Sequence, residues 1–131
     1  MSLTLTIRDE ELGGKSAGEF SLDFLTERIT VEELIRSRVF QEVKDYNAKQ
    51  GDEFHGLVQP TDAERTLNGY RLKSPRQIDW QEQFERAIKA YKSNQILILV
   101  NDKQVESLDQ ELEVRTDTVV TFLRLQLLVG G

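Results

Sequence analysis

The chain has 131 residues, 38% of them hydrophobic and 31% charged, which suits one domain able to bury about two-thirds of its unfolded surface. Its net charge of −6 argues against nucleic acid and anionic membrane as partners, since both select clustered lysine and arginine, and the absence of cysteine excludes disulfides, thiolate metal sites and cysteine nucleophiles. The longest aliphatic run, Ile96 to Val100, is far too short to span a membrane, and the N-terminus lacks the basic-then-apolar pattern of a signal peptide, so a cytoplasmic location is expected.

"LTLTIR" (Leu3 to Arg8) alternates strictly, with Leu3, Leu5 and Ile7 on one side and Thr4, Thr6 and Arg8 on the other. That is a half-buried strand. "DEELGGKSAGE" reads as turn chemistry, an acidic solvated tip in which Gly13, Gly14 and Gly18 are free to take positive φ. Alternation resumes through Phe20, Leu22 and Phe24, so the two segments predict a β-hairpin.

A helix is predicted from about Val31 to Tyr46. Thr30 and Glu33 form a capping box, and Ile29 with Leu34 a hydrophobic staple. Val31, Leu34, Ile35, Val39, Val43 and Tyr46 then fall on one helical stripe. "NAKQGDEFHG" reads as loop. Thr61, Glu64 and the Asn68–Gly69 pair suggest one or two helical turns. In "SPRQIDWQEQFERAIKAYKSN", Asp79 is a cap with Glu82 as its box partner, and Trp80, Phe84, Ala87, Ile88 and Tyr91 make an apolar face, which predicts a second amphipathic helix. "QILILV" is a third long strand ending in the turn "NDKQ". "VESLDQELEVRTD" reads as a short strand and a tight connection, and "TVVTFLRLQLL" as the last strand.

A hairpin, a crossing helix and a return to the sheet describe an α+β fold of the ubiquitin-like β-grasp type, a mixed sheet of about five strands packed by one main helix. The chain 1–131 is expected to be a single such domain, with a helical insertion at about 47–94 between the main helix and the third strand. A simple helical crossover does not need that length.

"ILVNDKQVESLDQELEVRTDTVVTFLRLQLLVGG", Ile98 to Gly131, resembles the ends of the small sulfur carriers of molybdopterin and thiamine synthesis. Those also show a strand, an Asn-Gly-like turn, a short "V-x-x-L-D" strand, an acidic turn and a last strand that runs to a terminal Gly-Gly. "FLRLQLLVGG" also resembles the tail of ubiquitin. The resemblance covers about the last 35 residues closely and the first 46 in pattern, and leaves the insertion out. The prolines that precede the tail in the sulfur carriers are absent, and Leu127, Leu128 and Val129 stand where ubiquitin's tail has basic residues around leucine. Only Gly130 and Gly131 match the family's reacting positions.

The resemblance implies a substrate for activation rather than an enzyme. A ubiquitin-activating-type adenylating enzyme would join the carboxylate of Gly131 to AMP, using its own ATP; this chain needs no cofactor. The carboxyl would then pass, through a conjugating enzyme, to amines on target proteins, with a deconjugating protease to reverse the step, or become a thiocarboxylate. Because the sequence given ends on glycine, no processing protease is expected.

The chemistry suits such a tail. Leu127 to Gly131 can reach at most about 14 Å into a partner, and glycine lets a backbone enter a narrow channel. A side chain at Gly131 would crowd the reacting carbon, where positioning errors near 1 Å cost about a hundredfold. Leu127, Leu128, Val129, Ile98 and Phe122 are the expected partner-binding residues. "ILILV" and "TVVTFL" are apolar on both faces, so the outer surface over the two strands should be greasy, covered by the insertion helix through Trp80, Phe84 and Ile88 or by a partner.

His55, the only histidine, has no nucleophile or second histidine about it, and "DEFHG" is a weak metal signal; no metal site is expected. Two readings of the diglycine therefore stand, protein modifier and sulfur carrier, against a third in which the domain is a non-covalent interaction module.

Overall fold

The computed structural model describes residues 3–12, 15–49, 53–66, 69–74 and 76–125. In chain order the elements are β1 (Leu3–Glu11), β2 (Lys15–Phe24), β3 (Arg28–Thr30), α1 (Val31–Lys49), β4 (Ala63–Arg65), β5 (Tyr70–Leu72), α2 (Trp80–Lys92), β6 (Ile96–Val100), β7 (Lys103–Gln104), β8 (Glu111–Glu113) and β9 (Val119–Arg124). The chain divides into two compact units, residues 1–34 with 90–131 and residues 35–89. The second unit therefore begins inside α1, earlier than the segment 47–94 expected from the sequence.

The first unit is built on a mixed five-stranded sheet in the order β2-β1-β9-β6-β7. β1 and β2 form the antiparallel hairpin that their alternation predicts, with Leu5 opposite Leu22 and Ile7 opposite Phe20. β9 runs parallel to β1, Ile7 beside Val120 and Asp9 beside Phe122. On its other side β9 is antiparallel to β6, with Ile98 opposite Phe122. The first and last strands are thus adjacent, parallel and central, as the expected topology requires. Alternation gathers Leu5, Ile7, Leu22, Ile96, Ile98, Val120 and Phe122 into one buried face. Each such side chain contributes about 1.5–3 kcal/mol on burial.

The start of α1 is built as the capping pattern suggests. Ile29 and Leu34 are both buried. The Thr30 hydroxyl accepts the Glu33 N–H at 3.1 Å and donates to the Glu33 carboxylate at 3.4 Å. Glu33 therefore answers the cap's hydroxyl, a variant of the usual box. Two more N–H groups of the first turn find carbonyls outside the helix: Val31 donates to Gln110 at 3.0 Å and Glu32 to Leu108 at 2.9 Å. β8 supports this junction by pairing with β3, Leu112 opposite Ile29.

The acidic tip departs from expectation. β1 continues to Glu11 and β2 begins at Lys15, so Asp9, Glu10 and Glu11 are strand residues. A register shift falls between Asp9, opposite Gly18, and Glu10, opposite Ser16. It places one extra residue, Ala17, in β2 and is a bulge. Gly18 has φ +134°, a value that side chains rarely take. Gly13 and Gly14 lie outside the described residues.

In the second unit, Ile35, Val39 and Val43 of α1 are buried together with Phe54, Leu57, Ala63, Ile78 and Ala87. The helical turns expected after Thr61 are instead an antiparallel pair, β4 and β5, with Ala63 opposite Leu72. Phe54 extends the pairing through mutual hydrogen bonds with Tyr70, 2.7 and 2.9 Å. Of the Asn68–Gly69 pair, taken as a helix stop, Asn68 lies outside the described residues, and the Gly69 N–H is accepted by the Thr66 hydroxyl at 3.1 Å just before β5. Gly56 is required by close approach, since a Cβ there would collide with the Phe54 ring.

Arg38 lies on the buried stripe of α1, 2% exposed, with its Nε 2.5 Å from Glu42 Oε1 one turn on. A charge at that position breaks the apolar pattern but is answered within the same helix. α2 starts where Asp79 caps it, accepting the Gln81 N–H at 3.0 Å. Its expected box partner, Glu82, turns elsewhere. No helix among the described residues is long and apolar enough to cross a membrane.

Candidate functional site

The expected reacting residues, Gly130 and Gly131, and three of the expected contact residues, Leu127, Leu128 and Val129, lie outside the described residues. What the structure does place is the base of that segment. β9 is flanked on both sides, by β1 and β6. At Leu125, the last described residue, the N–H donates to the Gln95 carbonyl at 2.9 Å.

Asp9 and Arg124 meet at this base. Asp9 shares strand parity with Leu5 and Ile7, so its carboxylate is on the buried face of the sheet. The Arg124 guanidinium lies 3.9 Å from it, and both side chains are mostly buried. A carboxylate withdrawn from water needs such a partner. The sequence reading, which took Asp9 as part of a solvated turn, missed this pair; its signal was that Asp9 continues the Leu5, Ile7 alternation.

Ile98 and Phe122 do not form a partner surface. They face each other across β6 and β9 and both are fully buried. Their side chains are core, with nothing left to offer a ligand. The opposite face of the two strands carries Leu97, Leu99, Val119 and Leu123, all half-buried, and Thr121, which is buried. The outer surface over these strands is apolar, as expected, but through the alternate set of residues.

Trp80 and Phe84 are half-buried, and their ring contacts lie within the second unit. Trp80 meets the edge of Phe40 at 5.5 Å between centroids, and Phe84 lies 6.5 Å from Trp80. The Arg36 guanidinium stacks 5.2 Å from the Phe84 ring. Phe40 itself keeps 45% of its surface exposed. This is a short ladder of aromatic and cationic groups joining α1 to α2.

A polar ring sits nearby in the chain. Thr61 donates a short hydrogen bond to Glu82 and accepts from Arg86 at 2.6 Å. The Arg76 guanidinium donates to the Thr61 carbonyl. The Thr61 hydroxyl is the main cause that holds the Glu82 carboxyl below its ordinary range, burial opposes it, and the Arg86 and then Arg76 cations add to the lowering. The ring ties the 61–62 turn to α2; the Thr61 hydroxyl donates to the Glu82 carboxylate, whose lowered ionisation makes it a weak base toward that proton.

In the first unit the Tyr91 hydroxyl points at the Val105 carbonyl, 3.4 Å away. Burial, and then the Glu106 charge, push its ionisation above the usual tyrosine range. His55 is exposed and lies beside Gly69. No group of three potential metal ligands occurs among the described residues.

Comparison with family models, with curated proteins and with solved structures gives no match.

Proposed function

We propose that this chain is a ubiquitin-like protein modifier: a β-grasp domain with a helical insertion, whose Gly131 carboxylate is adenylated by a ubiquitin-activating-type enzyme and then conjugated to target amines in the cytoplasm. The observation that carries the proposal is the parallel pairing of β1 with β9 inside the order β2-β1-β9-β6-β7, with α1 following the first hairpin. That is the arrangement the β-grasp reading demands, and it makes the strand that leads into "QLLVGG" a central, fully paired one.

In the reaction, a carboxylate oxygen of Gly131 attacks the α-phosphate of ATP and pyrophosphate leaves. The acyl group then passes from the adenylate to a thiol of a partner enzyme, releasing AMP, and from that thioester to an amine, releasing the thiol. All catalytic groups belong to the partners. This chain supplies a carboxylate on a narrow backbone and a rigid platform that fixes where the segment starts.

A sulfur carrier is the second reading. It is favoured by the β6–β7 connection, where Asn101 and Asp102 both have positive φ, 48° and 69°, and lead into the buried Val105. This is the tight turn and following valine on which the resemblance to sulfur carriers rests.

The test is to mix the protein with its cognate adenylating enzyme and ATP. The intact chain should form an acyl-adenylate at Gly131. Removal of Gly130 and Gly131 should abolish it and leave the melting temperature unchanged. Gly131→Ala should fold and react poorly. A branched peptide on a target lysine supports the modifier, and a gain of about 16 Da, oxygen exchanged for the sulfur whose thiolate does the later chemistry, supports the carrier. Equal behaviour of intact and truncated chains would leave only a non-covalent interaction module.

A further inference from the structure

The five-stranded sheet has two unequal edges. One closes on β7, only two residues long. The other is β2, ten residues long and paired among the described residues with β1 alone. An edge strand turns the N–H and C=O of every second residue away from the sheet, a ready template for another strand.

Nature blunts such edges with bulges and charge, and β2 uses both unevenly. The bulge at Ala17 and the positive φ of Gly18 disturb its first part. From Glu19 to Phe24 the register with Leu3 to Arg8 is uninterrupted, and this stretch contains no proline. Its outward side chains, Glu19, Ser21 and Asp23, are exposed. Glu19 stays 58% exposed although Arg8 lies 3.5 Å away, and Asp23 accepts a hydrogen bond from Thr4 at 2.8 Å.

Charge selects the occupant. The hairpin from Leu3 to Phe24 carries five acids, Asp9, Glu10, Glu11, Glu19 and Asp23, against two bases, Arg8 and Lys15. A second copy laid along this edge would set acid against acid, which is unfavourable across paired strands. A strand with lysine or arginine at alternate positions would meet Glu19 and Asp23 with opposite charge.

We propose that the β2 edge from Glu19 to Phe24 docks an extended basic segment of another protein, which adds to the sheet as a sixth strand. Its backbone pairs with the free edge, and its basic side chains lie over Glu19 and Asp23. This surface is independent of the diglycine reading, because it uses no residue after Phe24.

The experiment titrates the isotope-labelled full-length protein with a heptapeptide that has lysine at every odd position and valine or threonine between. A matched peptide with glutamate in place of lysine is the control. The lysine peptide should perturb the backbone amides of Glu19 to Phe24 and slow exchange at alternate ones, and high salt should weaken it. The glutamate peptide should leave them unchanged. Glu19→Lys with Asp23→Lys should reverse the preference by about tenfold, two cross-strand pairs changing sign. Both side chains are exposed, so the variant should fold; the two peptides on the unaltered protein decide the matter without it. Failure of the lysine peptide to protect β2, equal binding of both peptides, or perturbation centred elsewhere on the acidic surface would overturn the proposal.

Discussion

The side-chain amide of Asn47 pairs with both backbone groups of Ile78. Its Nδ2 donates to the Ile78 carbonyl at 2.9 Å, and its Oδ1 accepts the Ile78 N–H at 2.9 Å. One side chain near the end of α1 thus does for the segment before α2 what a neighbouring strand would do. Ile78 is buried, so water is poorly placed to replace the amide. Asn47→Ala should lower stability by about 2 kcal/mol, read from the urea midpoint. Asn47→Asp keeps the shape but loses the donor, and should recover less than half of that.

Phe122 and Ile98 should behave as core. Phe122→Ala should cost about 3–5 kcal/mol, the range for an aromatic truncated in a packed interior. Leu99→Ala, on the half-buried face, should cost clearly less. A folded Phe122→Ala protein of unchanged stability would return that residue to the surface.

Trp80→Ala removes the ring that bridges Phe40 and Phe84. Because Trp80 is only half-buried, the loss should fall near the lower end of about 1.5–3 kcal/mol, seen as a lower melting temperature. An unchanged melting temperature would mean that the ring is held for a partner.

Tyr91 gives the alkaline limb of the pH profile. Its ionisation is raised by burial and by Glu106. A raised folded value favours the neutral phenol, so this contribution is whole below tyrosine's ordinary value of 10.0 and is lost as the pH rises through the folded value. Tyr91→Phe should flatten the loss of stability above pH 10 while leaving the neutral range almost unchanged.

Glu82 gives the opposite limb. Its lowered value, from Thr61 and then the two arginines, stabilises the fold above glutamate's ordinary value of 4.5 and fades as the pH falls through the folded value. The side chain is 43% exposed, so solvent screens the ring and the effect should be small. Glu82→Gln should remove that acid dependence; a profile identical to the parent's would show that the ring contributes nothing.

Legibility in the sequence followed contrast. β1 was readable from Leu3 to Arg8, where threonine and arginine alternate with leucine and isoleucine, and its continuation to Glu11 was lost where the acidic residues begin. "ILILV" has no polar residue to mark a face, so its parity was ambiguous, and Ile98 and Phe122 were assigned to the wrong side. The β4–β5 hairpin was missed because Thr61 and Glu64 imitate a helix start, and an Asn-Gly pair in a sequence reads as a helix stop as readily as a hairpin turn. Its pairing depends on Phe54, nine positions before β4, which no local pattern announces. Arg38 falls on the buried stripe of α1 without any apolar signal, and Glu42 at i+4 is the one local hint of its partner. Asp79 and Glu82 formed a plausible box until a more distant Thr61 claimed the carboxylate.

The partnership of β1 with β9 also sets an order of events during synthesis. β1 is made well before its parallel neighbour, because β2 to β8 and both helices lie between them in the chain. Until then the β1–β2 hairpin has one open inner edge and an incomplete apolar face. The unit of residues 35–89 is contiguous in the chain and can form in the interval. Loop closure over so long a span is slow and exposes sticky intermediates. A nascent chain can therefore carry a structured middle segment while the hairpin before it still waits for its partner strand.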